Sequence, residues 1–172
     1  MSGQLSADEL SRELRTGQGF FLNRRRKIVE LCLFSSATLA GIALYQIGVL
    51  KKLPEPGWRG VDAGKVNGST QAYSILKTPD ALLGIASYGV TACLAGSGSA
   101  DRAHTDPLRP IAMGLKVLAD ATLAAKLTSD ECRKYRALSL WSLLTAAATW
   151  VALPLAIPET TAAVRHLIGK NA

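Results

Sequence analysis

The sequence predicts an all-α integral membrane protein: a four-helix bundle with one long loop between its first two helices. Three observations carry that expectation. Hydrophobic residues make up 48% of the 172 residues and charged residues 19%, whereas ordinary soluble domains carry about 25% charged residues. Four apolar runs are set apart by polar connections, the first two of which hold proline and glycine. Two of those runs exceed the roughly 20 residues that a helix needs to cross about 30 Å of hydrocarbon.

Residues 1–27 form a cytoplasmic segment in this reading. Within it, "SADELSRELRTG" has the marks of a short amphipathic helix. Ser6 and Glu9 have capping-box spacing, Leu10 and Leu14 share a face, and Gly17 ends it. Phe20 and Phe21 suit a membrane interface. The first span is Ile28 to Leu50, which as a helix reaches about 34 Å. Glu30 is its only charge, "RRRK" precedes it and "KK" follows. No small-residue cleavage site ends the run, so it reads as a retained helix rather than a signal peptide.

The second span, Ala81 to Ser97, opens after Pro79 and Asp80, with Thr78 as its expected N-cap. Small residues recur at spacing four (Ser87/Thr91, Gly89/Cys93, Ala92/Gly96), which suits close helix contact in lipid. The third span, Ile111 to Leu127, carries Lys116 and Asp120 on one face. Ionisable residues inside a span pair with each other or face a cavity, so these two are expected to form an intramembrane ion pair. The fourth, Ala137 to Ile157, has no charge, and Pro158 with Glu159 is expected to end it. The transmembrane domain is thus 28–158, and 159–172 is a tail. Four spans put both termini on one side, and "RRRK" against "KK" puts that side in the cytoplasm of a bacterial-type inner membrane.

The formal net charge of +7 points to anionic lipid headgroups, because many cations flank apolar runs and no nucleic-acid motif is present. A soluble basic helical bundle is the rival fold. Such a bundle would alternate polar and apolar faces, and the first and fourth runs do not. Cys32, Cys93 and Cys132 fit no disulfide framework or metal pattern. The first two read as buried apolar filler. His104 and His166 lie outside the spans, which argues against a histidine-ligated pigment within them. Asn67-Gly68-Ser69 matches a glycosylation acceptor, a pattern common by chance.

The loop from Lys51 to Thr78 is long for a small bundle, which marks it as functional or self-folding. Its "GSTQAYSIL" is expected to make a helical turn or two across the bundle mouth. "KVNGSTQAYSILKTPDALLGIASYGV", Lys65 to Val90, resembles the loop-to-second-helix segment of the vitamin K epoxide reductase family. Ser69, Pro79, Leu82, Leu83, Gly84 and Tyr88 carry the likeness, and the order of elements extends it over Ile28 to Glu159.

The resemblance implies a quinone pocket near the outer bundle end. Ser69, Tyr73, Tyr88, Tyr135 and Trp141 are its candidate quinone- or lipid-binding residues. It also implies electron transfer from a loop cysteine pair to a Cys-x-x-Cys at the start of the last helix, and on to quinone. Each exchange takes two thiols, one to attack a disulfide and one to resolve it. The sequence departs from that pattern. The loop holds no cysteine, the Cys-x-x-Cys position reads Cys132-Arg133-Lys134-Tyr135, and Ser139 stands where some members have tyrosine.

The expectation is therefore a non-catalytic relative: an accessory subunit of a larger membrane complex, with protein partners, and a quinone or lipid binder without metal. The alternative is a quinone-dependent thiol oxidoreductase in which Cys132, the one catalytic candidate, works with a partner's cysteine.

Overall fold

The computed structural model describes residues 6–56, 58, 61–73 and 77–170, the side chain of Gln71 excepted. Among them the secondary structure is helical. The elements are α1 (Ala7–Thr16), α2 (Phe20–Gln46), α3 (Ala63–Asn67), a 3-10 turn (Thr70–Tyr73), α4 (Asp80–Gly96), α5 (Arg102–Thr105), α6 (Leu108–Tyr135) and α7 (Leu140–Lys170). The only pairing of β type among the described residues is an isolated bridge from Val61 to Leu138.

The helix starts and stops follow local chemistry. In α1 the capping box forms: Ser6 Oγ accepts from the Glu9 amide at 3.3 Å, and Glu9 Oε2 accepts from the Ser6 amide at 2.9 Å. That backbone hydrogen bond holds the Glu9 carboxyl below the usual carboxylate range. Arg26 ties α1 down by donating to the carbonyls of Leu14 (2.7 Å) and Gly17 (2.9 Å). The N-cap of α4 is Pro79 rather than Thr78, with no side-chain cap bond.

The longest helices depart from the expected runs. α2 starts eight residues before Ile28 and stops at Gln46, ahead of a turn in which Gly48 has φ +82°. α6 continues to Tyr135, so Cys132 sits in its last turn instead of at the start of the following helix. Arg136, with φ +48°, then reverses the chain. α7 does not end at Pro158 but runs to Lys170. Pro158 lacks the N–H that would bond the Pro154 carbonyl. Arg24 Nη1 donates to that carbonyl at 3.3 Å instead. Glu159, expected with Pro158 to terminate the helix, is buried against Arg102 (side chains 2% and 0% exposed; Nε to Oε1 2.8 Å, Nη2 to Oε2 3.0 Å).

α2 packs against α4 and α7, and α6 packs against α7, while the α4–α6 contact is much less extensive. One buried cluster joins Ile28, Cys32, Ala95, Met113, Val117, Ala152 and Ala156. A second joins Ile42, Ala43, Leu53, Ala63 and Ala81. Gly41 lets Trp141 approach closely: a Cβ there would lie 2.7 Å from Trp141 Cζ3. The small-residue row Gly89/Cys93 does not serve helix contact. Both are exposed, and a Cβ on Gly89 would meet nothing within 4 Å. Gly84 makes the close approach on α4, against Leu39.

Two helices, Phe20–Gln46 and Leu140–Lys170, are long and apolar enough to cross a membrane. Large apolar side chains on them point outward, among them Leu33, Phe34, Leu44, Trp150, Val151 and Ile157.

Arg25 belongs to the basic flank by sequence, yet it is buried. It donates to the carbonyls of Ala95 (2.7 Å), Ser97 (2.7 Å), Gly98 (2.9 Å) and Ser99 (2.8 Å). Arg102 adds bonds to the carbonyls of Leu94 (2.5 Å) and Ser97 (2.6 Å). A helix C-terminus has carbonyls without intrahelical partners, and the two arginines satisfy those of Leu94 and Ala95 in the last turn of α4 and those of Ser97, Gly98 and Ser99 just beyond it.

Candidate functional site

The sparse α4–α6 contact leaves a cavity of about 590 Å³. Its apolar wall comes from Leu39 and Ile42 on α2, Ala81, Leu83 and Gly84 on α4, and Leu123 and Leu127 on α6. Val66, Asn67, Ser69 and Ala72 cover it from the loop, and Ser142, Thr145 and Ala146 of α7 close the far side. The volume and the mostly apolar lining with a few polar groups fit a small-molecule site.

The loop is held over this cavity by a set of hydrogen bonds. Glu55 accepts from the backbone amides of Ala63 and Leu140, the latter at 3.3 Å. The Asp62 amide donates to the Leu138 carbonyl at 3.0 Å, and Trp141 Nε1 to the Pro54 carbonyl at 3.0 Å. Asn67 Nδ2 donates to Ser139 Oγ at 2.9 Å, both residues being buried. Gln46 joins the loop to α4: its Nε2 donates to Asp80 Oδ1 (2.7 Å) and to the Asn67 carbonyl (3.3 Å).

Asp80, Asp120, Asp130 and Glu131 line the cavity, with Lys126 as the one cation among its described lining residues. Burial pushes the Asp80 carboxyl up, against the hydrogen bond from Gln46 that pulls it down. Burial likewise raises Glu131, and the charge of Asp80 adds to the effect.

The expected ion pair closes: Lys116 Nζ lies 2.5 Å from Asp120 Oδ1. Lys116 also donates to Ser87 Oγ at 2.8 Å, Ser87 donates to Asp120 Oδ1 at 3.1 Å, and Thr91 donates to Asp120 Oδ2 at 2.9 Å. The Ser87/Thr91 row therefore grips a carboxylate of α6 rather than serving bare helix contact. Asp120 and Tyr88 line both the large cavity and a smaller chamber deeper between the helices.

Of the residues expected to bind a ring, Ser69, Tyr88 and Tyr135 come together around the cavity. Tyr73 and Trp141 are not on its wall. Tyr73 donates to the Gln46 carbonyl at 2.7 Å, and Trp141 packs on Gly41 and holds Pro54. The three cysteines lie apart from it. Cys32 is buried in the helix core, while Cys93 and Cys132 are exposed. Cys93 thus departs from the buried-filler expectation. No cysteine is among the residues lining the cavity, although Glu131 and Tyr135 on either side of Cys132 do line it.

Asn67, Ser139, Gln46 and Asp80 were not singled out from the sequence as site residues. Their signal is weak. Each is a single polar residue whose partner lies far along the chain: 21 positions for Gln46–Asn67, 34 for Gln46–Asp80 and 72 for Asn67–Ser139.

Comparison with known proteins adds one match. A model of the vitamin K epoxide reductase family matches residues 28–157, from the third turn of α2 to the middle of α7. No curated protein matches the chain.

Proposed function

Starting from the fact that the chain belongs to the vitamin K epoxide reductase family, we propose that it is a membrane-embedded four-helix protein that binds a quinone or a similar flat lipophile without a thiol relay of its own. One observation carries this reading: the large cavity has a wall of apolar side chains and hydroxyls and no cysteine on it. Quinone reduction by thiols needs two sulfurs in sequence beside the ring. This cavity offers a ring-sized apolar slot, and Asn67 and Ser69 as hydrogen-bonding groups for ring oxygens, with Tyr88 as a further wall residue.

The outward apolar faces of α2 and α7 support the membrane setting, since contiguous apolar surface of this kind is buried in lipid or in a partner. In this reading the protein is an accessory subunit of a larger membrane complex, with its basic flank on the cytoplasmic side of a bacterial-type inner membrane. The expected fold is a membrane bundle built from α2, α4, α6 and α7.

A short-chain naphthoquinone titrated into the detergent-extracted protein tests the reading. Saturable binding, with retention of a quinone or lipid in native mass spectra of the extract, is the expected result. Absence of saturable binding overturns it. A second reading rests on the exposure of Cys132: a partner's thiol can reach it, giving a quinone-linked oxidoreductase shared between two proteins. Trapping a mixed disulfide at Cys132 in cells would favour that version.

A further inference from the structure

The large cavity has polar groups at both ends. Asn67 and Ser69 stand at its loop end, with Asp80 and Glu131. Ser87, Tyr88 and Asp120 stand at its deep end, and Thr145 faces it from α7. At about 1.5 Å of rise per residue, Ser87 lies about 10 Å beyond Asp80 along α4, and Asp120 lies about 16 Å from Glu131 along α6. The bond from Lys116 to Ser87 sets the two deep positions level with each other. Leu39, Leu83, Leu123 and Leu127 line the wall between the ends.

The deep end offers lone pairs and no uncommitted proton. Ser87 Oγ accepts from Lys116 at 2.8 Å and gives its own proton to Asp120 Oδ1 at 3.1 Å. Thr145 Oγ1 donates to the Trp141 carbonyl at 3.1 Å, and Thr149 Oγ1 to the Thr145 carbonyl at 2.9 Å. A hydroxyl has one proton to give, so in the 2.5 Å contact between Tyr88 and Thr149 the tyrosine is the donor. Asp120 receives Lys116 and Ser87 on Oδ1 and Thr91 on Oδ2, which leaves one of the about four acceptor positions of a carboxylate. Its side chain keeps 12% of its surface exposed, so these partners do not seal it.

A bare hydrocarbon tail reaching this end would set methylene groups against those lone pairs, and an unmet polar group is costly. A hydrogen-bond donor at the tip of the ligand removes that cost. Charge narrows the choice of donor. Lys116 already balances Asp120, so an ammonium would be repelled by the lysine and a carboxylate by the aspartate. A neutral hydroxyl meets neither objection.

We propose that Ser87 and Asp120 form a subsite for a hydroxyl group, and that the ligand is a lipophile with its ring at the loop end and a hydroxyl about 10 Å deeper. The inference rests on the binding function proposed above and names the ligand class for it.

Two naphthoquinones test it on the detergent-extracted protein, one with an octyl chain and one with the same chain ending in a hydroxyl. After correction for partition into protein-free micelles, the hydroxyl compound should bind about tenfold more tightly, as one added hydrogen bond to a charged group allows. A hydroxyl on an ethyl chain is too short to reach and should give no gain over the plain ethyl compound. In Lys116→Met/Asp120→Leu the preference within the octyl pair should vanish. Equal affinity of the octyl pair for the parent protein overturns the subsite, and so does an equal gain from the ethyl chain or a preference kept in the double variant. Should the double variant fail to fold, the octyl and ethyl comparisons on the parent protein still decide. Octyl binding without a hydroxyl preference leaves the binding function standing, whereas absence of binding by either compound removes both.

Discussion

Replacing Lys116 by methionine leaves Asp120 as a buried carboxylate without its countercharge. The pair is 25% and 12% exposed at its two side chains, and the ion contact is 2.5 Å. Breaking a fully buried pair by removing one partner costs about 3–5 kcal/mol. Two features reduce that figure here. The pair is partly open to the cavity, and Ser87 and Thr91 still donate to the carboxylate. About 2–3 kcal/mol remains. For a chain of this size each kcal/mol moves Tm by about 2–4 °C, so the melting temperature should drop by roughly 5–10 °C.

The assay uses the Cys93→Ser/Cys132→Ser background and a maleimide dye that becomes fluorescent when unfolding exposes Cys32. The double variant Lys116→Met/Asp120→Leu removes both charges and should recover much of the loss, because an apolar pair of similar size is often as stable as a buried ion pair. If the double variant is as unstable as the sum of the two single variants, the residues are not coupled. The network around Asp120 would then be wrongly described.

Four further outcomes are expected. Asp80 and Glu131 both have raised carboxyl pKa values in the folded chain. Their contribution to stability is full below the ordinary carboxylate range and is lost as pH rises through the raised values, so thermal stability should fall from acid toward neutral pH and Asp80→Asn/Glu131→Gln should flatten that slope. Gly41→Ala places a Cβ 2.7 Å from the rigid Trp141 ring, an overpacking worth about 1–3 kcal/mol; an unchanged melting temperature would contradict the contact. Glu55→Ala strips the acceptor from the amides of Ala63 and Leu140; limited proteolysis should then nick the loop between α2 and α3 faster than in the parent chain. Gly84→Val pushes Leu39 toward the cavity from a contact already at 2.7 Å for a bare Cβ, so quinone affinity should weaken while the helical circular dichroism stays the same.

Local patterns made the helices legible in advance. Ser6 with Glu9 announced α1, and an uninterrupted apolar run announced the cores of α2 and α7, because capping and hydropathy act over a few residues. The segment around Ser69, Gly84 and Tyr88 pointed to the family, and the structure puts all three on the cavity wall. Lys116 and Asp120 were legible as a pair because four residues on a helix is one turn.

The remainder depends on contacts distant in sequence. Arg25 looked like one more cation in a basic flank, and only the folded chain shows it holding the C-terminus of α4. Pro158 followed by Glu159 has the local form of a helix stop. It fails as one because Arg24 and Arg102 reach across from other elements. Tyr73 and Trp141 were credited with binding because aromatic rings suit both a flat ligand and a packing role, and nothing local separates the two.

The most direct measurement of the central claim is the binding of a short-chain naphthoquinone to the protein with all three cysteines changed to serine. The account requires the thiol-free protein to bind with the same affinity as its parent, because no sulfur lies on the cavity wall. Loss of binding in that protein, or a purified parent chain that reduces the quinone while its own thiols are oxidised, would contradict it.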